Sequence, residues 1–332
     1  MKNAPHISVC IPLYDTEPLL AQCLRSVFLQ DFDFFEVIVL SDASRGKDEK
    51  GRNGKKITKQ VFNECKKIRK ETGLAEISVR FIEHRQNMGL VEVRRSLLFY
   101  AQGKYISYID SDDVMVPGAL KALYEVAENQ NADIVQGRST AGSFNADGQF
   151  IPSSKNLYSN INIGSVCDYE IIRKMILAEI AGVLWAKLYK RTLLEKAFES
   201  IPHIECNMAE DFLISFFVTF YAKKYVGIEN QVYQYRVQSG MSSRRKIDSE
   251  KKIRMVCSTA SVFSVIAESK ELKALEENEV NYVRRFSTHY LKDNIKQLND
   301  NVIPELKTKA HELLCEYWGE SFVNRVEEKL NK

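Results

Sequence analysis

The stretch 104–113 reads Lys104-Tyr105-Ile106-Ser107-Tyr108-Ile109-Asp110-Ser111-Asp112-Asp113, and it ends an apolar run with three carboxylates in four residues. The apolar part suits a buried strand, whereas Asp is a poor strand residue, so we expect the acids just past the strand's end. Ligands of open α/β sheets bind outside these carboxyl ends. Closely spaced like charges repel, and hard oxygen ligands suit Mg²⁺ or Mn²⁺. The acids therefore predict a divalent-cation site that also holds a phosphate.

Strand-like and helix-like segments alternate through residue 138. Strands are predicted at residues 7–12, 35–40, 77–82, 105–109 and 134–135, and helices at 17–30, 57–71, 91–101 and 117–129. This alternation is typical of an α/β fold with a mostly parallel sheet flanked by helices. Residues 139–160 then predict a loop or hairpin, and residues 225–237 a further strand. From about residue 248 amphipathic helices predominate, with a break near Pro304.

The composition is that of an ordinary globular protein, since 45% of the 332 residues are hydrophobic, 27% are charged and the net charge is +3. Residues 45–71 hold eleven Lys or Arg and four acids. This basic segment either faces anionic lipid or an anionic acceptor, or is a solvated helix face. The seven cysteines form no CxxC pair, which favours a reduced compartment. We find no signal-peptide or membrane-span pattern and expect a cytoplasmic protein.

Three polar groups lie where a predicted strand ends or a helix begins. Ser41-Asp42-Ala43-Ser44 offers a carboxylate for a ribose or base, or else forms a turn. Asn87-Met88-Gly89 precedes a helix with Arg94, which can meet phosphate or base oxygens, or else is an ordinary surface arginine. Glu210-Asp211 opens a strongly apolar helix. There a carboxylate can be a general base if it faces the metal site, or can merely complement the helix dipole.

Weaker signals come from three other places. Arg236 ends the last strand-like stretch and, with Ser239 and Ser242, can hold a diphosphate, or else belongs to an edge strand entering a polar loop. Trp185 can stack on a sugar ring, although a lone Trp in an apolar segment is more often a core residue. Asp113 can be the N-cap of the following helix.

Several common site types are excluded. No GxGxxG follows the first predicted strand, and Gly51-Arg52-Asn53-Gly54-Lys55-Lys56 lacks the spacing of a P-loop. The five histidines show no metal-ligand spacing. A calcium loop fails because Val114 and Lys121 occupy positions that need ligands.

The order of these motifs resembles that of the family 2 glycosyltransferases, which have the Rossmann-like GT-A fold. The similarity covers roughly residues 6–242 and leaves the helical tail outside. The similar stretches are Ile7-Ser8-Val9-Cys10-Ile11-Pro12-Leu13-Tyr14-Asp15 (family IPxYN), Val39-Leu40-Ser41-Asp42-Ala43-Ser44 (VDDGS), Asn87-Met88-Gly89 with Arg94 (NxGxxxARN), residues 103–113 (GkYixflDsDD), Leu184-Trp185-Ala186-Lys187-Leu188-Tyr189 (WnKLy) and Glu210-Asp211 (ED).

The resemblance implies a role for each matching residue. The metal, Mn²⁺ or Mg²⁺, would be held by Asp112 and Asp110. Asp211 would be the general base, Glu210 would support it or contact the acceptor, and Trp185 would bind the acceptor. The nucleotide and its diphosphate would be held by Pro12, Tyr14, Asp42, Arg94, Asp110, Arg236 and Ser242.

Five positions depart from the family pattern. They are Asp15, Arg95 and Ala186 in place of Asn, Ser41 in place of Asp, and Ala43 in place of Gly. The acids at the matching key positions are retained, so the resemblance implies activity. The basic insert after residue 44 borders the expected nucleotide pocket.

The resemblance implies a GT-A domain at residues 1–242, with a nucleotide-binding half at 1–138 and an acceptor half at 139–242, and a helical C-terminal subdomain at 243–332. It implies a metal-dependent inverting enzyme that moves a hexose or N-acetylhexosamine from a nucleotide sugar, first of all a UDP-sugar. The acceptor would be a hydroxyl of a glycan or lipid-linked acceptor in the synthesis of cell-surface polysaccharide or glycoconjugate.

Two alternatives to this function remain. Asp110-Ser111-Asp112-Asp113-Val114 also fits the nucleophile motif of haloacid-dehalogenase phosphohydrolases. A GT-A module that binds nucleotide or glycan without catalysis is the second. We expect no nucleic-acid partner. Peripheral contact with the inner face of the plasma membrane and an oligomer formed through the tail are further expectations.

Overall fold

A mixed sheet forms the centre of the computed structural model, which describes residues 4–145, 147–153, 160–204, 206, 208–237 and 246–330. The sheet has the strand order β3-β2-β1-β4-β9-β6-β10-β5, with β7 paired to β6 and β8 to β10. Its strands are β1 (Ile7–Leu13), β2 (Phe35–Ser41), β3 (Ser78–Glu83), β4 (Tyr105–Tyr108), β5 (Val114–Met115), β6 (Ile134–Phe144), β7 (Phe150–Pro152), β8 (Gly164–Cys167), β9 (Lys187–Lys190) and β10 (Lys224–Arg236).

Helices cover both faces of this sheet and form the C-terminal part of the described chain. They are α1 (Glu17–Phe28), α2 (Gly54–Glu71), α3 (Leu90–Tyr100), α4 (Ala119–Gln130), α5 (Tyr169–Ile176), α6 (Arg191–Glu199), α7 (Glu210–Tyr221), α8 (Glu250–Cys257), α9 (Thr259–Glu268), α10 (Lys270–Lys273), α11 (Glu277–Asn301), α12 (Lys307–Trp318) and α13 (Glu320–Leu330), with a 3₁₀ turn at Pro304–Leu306. No helix of the described segments is long and apolar enough to cross a bilayer.

The half of the sheet built from β1 to β4 is parallel. β1 pairs with β2 and β4, and β2 pairs with β3, all in parallel. Every residue of β1 and β2 is buried, as expected for strands covered on both faces. One apolar core lies between the sheet and α1, α2 and α4, and another between the sheet and α3, α5, α6 and α7. The predicted α/β fold with a mostly parallel sheet flanked by helices is confirmed.

The second half of the sheet adds antiparallel strands. β9 lies antiparallel between β4 and β6, and β6 turns back as a hairpin into β7 within the segment predicted as loop or hairpin. The helix predicted at 57–71 begins earlier, at Gly54, because the Asn53 side chain accepts a hydrogen bond from the Lys56 amide and caps it. The Asp113 cap is wrong, since α4 begins after Gly118, whose φ is 78°.

The C-terminal helices pack against the rest of the chain. Val262 and Phe263 of α9 and Val283 of α11 belong to the apolar core beneath α3 and α7. The second half of α11 packs with α8, α12 and α13 around a separate apolar cluster. α11 therefore connects the two clusters, and the domain limits at residue 242 stay a prediction.

One buried arginine fixes α2 to the connection between α1 and β2. Arg69 is 2% exposed, and its guanidinium donates to the carbonyl oxygens of Phe28 (3.1 Å), Gln30 (2.8 Å), Phe32 (3.0 Å) and Ala75 (2.7 Å). These carbonyls lie at the end of α1 and in loops, outside the regular hydrogen bonding of helix and sheet. Within the described segments, only the Gln30 oxygen among the four also accepts a loop backbone hydrogen bond, from the Phe32 amide (2.9 Å). The arginine thereby supplies hydrogen bonds that the buried connection cannot make for itself.

We expect Arg69→Met to lower the free energy of unfolding by about 3 kcal/mol, because several carbonyls lose their donor at once. Urea denaturation measures this change. The matched control is Lys67→Met on the same helix, where the side chain is exposed and the expected change is within about 0.5 kcal/mol. Equal stabilities of the two variants would contradict the assigned role of Arg69.

Candidate functional site

A pocket of about 440 Å³ opens at the carboxyl ends of β1, β2 and β4. This is where open α/β sheets bind their ligands. The described structure brings most of the predicted residues together here, although they come from distant parts of the chain. The predicted residues in its lining are Pro12, Tyr14, Asp42, Arg94, Asp110, Asp112, Trp185, Glu210 and Asp211. Arg236 lies behind the acid loop and not in this lining, and Ser239 and Ser242 fall outside the described residues.

Arg94 of α3 connects the two acidic parts of the site. It is 1% exposed, and its Nη2 donates to Asp110 Oδ1 (3.2 Å), Asp211 Oδ1 (3.1 Å) and Glu210 Oε1 (3.4 Å). Its guanidinium carbon also lies 5.3 Å from the ring centroid of Tyr108. One cation therefore joins the mouth of β4 to the first turn of α7. Its predicted place at the nucleotide base stays a prediction.

The other two guanidinium nitrogens of Arg94 can still donate hydrogen bonds. Nε and Nη1 are buried and have no hydrogen-bond partner among the described residues. Burial alone would lower the pKa of Arg94, but Asp211, Asp110 and Glu210 raise it, and the net pKa lies above the ordinary arginine value. Arg94 is therefore always charged, and its spare donors suit an oxygen atom of a bound ligand.

The two acids at the start of α7 hold protons more tightly than acids in water. Burial, followed by the charge of Asp211, raises the pKa of Glu210 to about 8. Burial also raises the pKa of Asp211 to about 6, although the positive charge of Arg94 opposes it. The Leu184 amide hydrogen-bonds to Asp211. A carboxylate with a pKa near neutrality is suited to accept a proton from a reacting hydroxyl.

The acid loop after β4 is fixed by the end of β10. Tyr233 Oη accepts from the Asp110 amide (3.2 Å) and donates to Asp113 Oδ2 (2.7 Å). The Arg236 amide donates to Asp113 Oδ1 (2.6 Å), and Arg236 Nε donates to the Asp112 carbonyl (2.8 Å). Asp113 is thus buried and used for loop geometry rather than as a helix cap. Asp110 and Asp112 are the members of the loop that face the pocket.

The donor set fits a metal that arrives with a phosphate ligand. Asp110 and Asp112 line the pocket, while the described segments contain no group of three or more His, Cys, Asp or Glu that could hold a metal. Mg²⁺ is commonly bound by one or two carboxylates together with substrate phosphates. The residues therefore fit a cation shared with a diphosphate, and they do not fit a metal site made by protein side chains alone.

Asp42 holds the turn that leads into α3. It is 3% exposed, and its carboxylate accepts from the amides of Met88 (2.9 Å) and Gly89 (3.0 Å) and hydrogen-bonds with His84 Nδ1 (2.7 Å). Gly89 has a φ of 84°, a value that glycine adopts without strain. Asp42 therefore helps to place the helix that carries Arg94. The contribution of His84 was missed, because a lone histidine carries no motif.

Trp185 lies at the edge of the pocket with little free surface. It is 3% exposed, and its ring stacks with those of Tyr233 (centroids 4.6 Å apart) and Tyr235 (5.4 Å). Trp185 therefore belongs to an apolar core cluster and also lines the pocket. Its predicted contact with the acceptor stays a prediction.

Two lining residues come from the helical tail, to which the sequence analysis assigned no chemistry. Phe286 and Tyr290 of α11 reach the pocket beside Phe212 of α7. Their only local signal is the four-residue spacing of Tyr282, Phe286 and Tyr290, which is also typical of ordinary helix packing.

Comparison with known proteins gives a family similarity for about half of the chain. Residues 8–162 match the model described as Glycosyl transferase family 2. Among curated relatives, the putative glycosyltransferase EpsH of Bacillus subtilis is 25% identical over 71% of this chain and 62% of its own length. Glycosyltransferase GlyA of Streptococcus pneumoniae is 28% identical over 72% of this chain and 31% of its own length. The matched part of the chain thus spans less than two thirds of the length of either relative.

A solved structure shares the fold. S. aureus TarS 1–349 superposes with a TM-score of 0.59 at 17% identity, covering 98% of this chain and 91% of that chain. TarS 1–349 has also been solved in complex with UDP and with UDP-GlcNAc. The structural match confirms the predicted GT-A fold, and the family model and relatives confirm the resemblance to family 2 glycosyltransferases.

We expect Arg94→Met to lower the free energy of unfolding by about 3 kcal/mol at about pH 8, because buried Glu210 and the partly buried Asp110 and Asp211 lose their shared cation. Without Arg94 the pKa values of Asp211 and Glu210 rise further above those of the unfolded chain. Both carboxyls are then protonated in the folded variant at about pH 5, so the deficit relative to wild type should shrink there.

Urea denaturation of wild type and variant at the two pH values tests this. Arg69→Met is the matched control, because its hydrogen bonds go mainly to carbonyl oxygens, which do not titrate, so its deficit should stay constant. A deficit of Arg94→Met that is equal at both pH values would contradict the assignment of Arg94 as the shared counter-ion.

Proposed function

We propose that this chain acts as a family 2 glycosyltransferase and transfers a sugar from a nucleotide sugar to an acceptor hydroxyl with inversion at the anomeric carbon. The observation that carries the proposal is the shared guanidinium nitrogen of Arg94, which lies within 3.2 Å of both Asp110 and Asp211. The acids that would bind the cation of a diphosphate and the acid that would act as the general base therefore line the same pocket.

The reaction is a single displacement. The acceptor oxygen attacks the anomeric carbon, the bond from that carbon to the diphosphate oxygen breaks, and the hydroxyl proton passes to the Asp211 carboxylate. The raised pKa of Asp211, about 6, makes it a stronger base than a solvated aspartate. Its hydrogen bonds with Arg94 and the Leu184 amide hold the carboxylate in one position. Such preorganisation lowers the cost of reaching the transition state.

The diphosphate end of the pocket is proposed to use Asp112 and Asp110 as ligands of Mn²⁺ or Mg²⁺. When bound, the cation would stabilise the negative charge that develops on the leaving diphosphate. Arg236 supports this end indirectly, because its Nε holds the Asp112 carbonyl. We propose UDP as the nucleotide, which the UDP and UDP-GlcNAc complexes of TarS support by analogy of fold.

The sugar is proposed to be a hexose or N-acetylhexosamine, and the acceptor a glycan or lipid-linked acceptor. The process would be the synthesis of cell-surface polysaccharide or glycoconjugate, as the family resemblance implies. Tyr14, Asp42 and Pro12 would flank the base of the nucleotide, since all three line the pocket beside the acid loop.

We expect Asp211→Asn to reduce transfer by at least about 100-fold, because the amide cannot accept the hydroxyl proton, while donor binding is kept. UDP release from UDP-glucose, UDP-galactose and UDP-N-acetylglucosamine with Mn²⁺ measures turnover, and the thermal shift with UDP and Mn²⁺ measures binding. Asp168→Asn is the matched control, because Asp168 is an exposed acid away from the pocket.

Three outcomes would contradict the proposed base or identify a different function. Unchanged turnover of Asp211→Asn removes the proposed base. Binding of UDP and Mn²⁺ by the wild type without any UDP release identifies a module that binds without catalysis. Hydrolysis of p-nitrophenyl phosphate with Mg²⁺, lost on Asp110→Asn and without any response to nucleotide sugars, identifies a haloacid-dehalogenase-type phosphohydrolase.

The basic segment forms an exposed lysine face on α2, and we propose that this face contacts anionic lipid near a lipid-linked acceptor. Each lysine close to an anionic membrane contributes about 1 kcal/mol of binding. None of the lysines of this face lines the pocket. The exposed lysines of this face are Lys55, Lys56, Lys59, Lys66, Lys67 and Lys70.

We expect replacement of Lys56, Lys59 and Lys67 by Glu to abolish flotation with vesicles that contain phosphatidylglycerol, because the electrostatic attraction turns into repulsion. Wild-type protein should float with these vesicles and not with phosphatidylcholine alone.

A charge-matched variant of the C-terminal helices controls for net charge. It replaces Lys251, Lys270 and Lys307, which are exposed, by Glu. This control should keep its flotation. Equal loss in the two variants, or equal flotation of wild type with both lipids, would contradict a specific lipid contact of α2.

A further inference from the structure

Three aromatic residues follow one face of α11 at four-residue spacing. They are Tyr282, Phe286 and Tyr290, and the last two line the pocket. Phe286 is 37% exposed, although it is a large apolar side chain. The part of α11 that packs inward is made by other residues, among them Val283 and Leu291, which are buried. Phe286 thus keeps part of its ring exposed while it lines the pocket.

This aromatic face directly continues the wall that carries the proposed base. The ring centroids of Phe286 and Phe212 are 4.8 Å apart, and Phe212 follows Asp211 in α7. Phe286 also meets Tyr290 edge-on at 5.5 Å. A molecule that lies against Phe286 is consequently adjacent to the residue that would take its proton.

The pocket has two chemically different parts. The part around β1, β2 and β4 is polar, with Asp42, Asp110 and Asp112, and suits a nucleotide that binds together with a divalent cation. The part beyond Asp211 is formed by apolar and aromatic side chains, including Phe212, Phe286 and Tyr290. A pyranose ring has an apolar C–H face that packs on aromatic rings, while its hydroxyl groups remain available for polar contacts. Binding sites for such molecules combine aromatic walls with few polar groups.

We propose that Phe286 and Tyr290 of α11 form the acceptor subsite and bind a pyranose ring of a glycan acceptor beside Asp211. The inference rests on the proposed function, because it identifies the wall that receives the acceptor of that reaction. The subsite lies outside residues 8–162, which match the family model. In this arrangement the helical tail contributes to acceptor choice, while the carboxyl ends of the strands bind the donor.

Saturation-transfer NMR with three simple sugars tests the subsite without requiring turnover. The probes are methyl β-glucopyranoside, methyl β-galactopyranoside and methyl N-acetyl-β-glucosaminide, each added to the full chain with UDP and diamagnetic Mg²⁺. Wild-type protein should transfer saturation to the ring C–H protons of at least one probe. Phe286→Ala should reduce this transfer roughly fivefold or more, because the stacking surface is lost.

Two further variants make the result specific. Phe286→Leu keeps apolar bulk against Phe212 but removes the aromatic face, and it should also lose saturation transfer. Phe99→Ala removes a ring that is 80% exposed on α3 and outside the pocket lining, and it should behave as wild type. Circular dichroism of each variant establishes that the helices are intact.

The inference is overturned if wild type shows no saturation transfer to any of the three sugars, or if both Phe286 variants retain it at the wild-type level. Failure of the proposed function gives a different result. In that case UDP-sugars are neither bound nor hydrolysed, while sugar contacts that depend on Phe286 persist.

Discussion

The buried ion cluster of Arg94 with Asp110, Glu210 and Asp211 is the interaction on which the site depends. A charge removed from water without a partner is strongly destabilising, so the four groups are only tolerable together. The cluster joins α3, the mouth of β4 and the start of α7, and 117 positions separate Arg94 from Asp211. The same constraint that holds the chain together therefore aligns the proposed base with the proposed diphosphate site. Its acidic side chains outnumber its single arginine even when Glu210, with its pKa of about 8, is protonated, and this is an electrostatic reason to expect a cation with the donor.

Other buried polar groups act by holding this cluster in place. Asp42 accepts the amides before α3, and Asp113 accepts hydrogen bonds from the end of β10. In the sequence these acids look equivalent to Asp110 and Asp112, since all follow strands. Burial and partners separate them, because a carboxylate whose oxygens are occupied by backbone amides stabilises a loop. Half-exposed acids that face the pocket remain available to a ligand.

The sequence patterns predicted the parallel half of the sheet well, because strands covered on both faces must be continuously apolar. They also placed the acids at the carboxyl end of β4, where Asp fits and a strand interior does not accept it. Such patterns predict how much of one strand or helix is buried, but they do not predict which other segment of the chain packs against it. The partners of Arg94, the pairing of Asp113 with Tyr233 and the arrival of Phe286 in the pocket are contacts between distant segments. None of them has a local signature, which explains why the sequence analysis missed them.

The pocket residues that the family resemblance predicted lie mainly at the polar end of the pocket. The residues that it did not predict lie at the aromatic end. The residues that match the family motifs form the polar end, where a diphosphate and a cation would bring the same charges whatever sugar is transferred. The aromatic end is built with α11, whose sequence lies outside the motifs.

Contacts to the leaving group must stay constant because the chemistry is constant, whereas contacts to the acceptor must differ between enzymes with different products. The hydrogen bonds of the ion cluster run from Arg94 to Asp110, Glu210 and Asp211, whereas α11 meets this region through the contact of Phe286 with Phe212. The fold thereby permits the proposed acceptor subsite to vary separately from the hydrogen bonds that hold the proposed base.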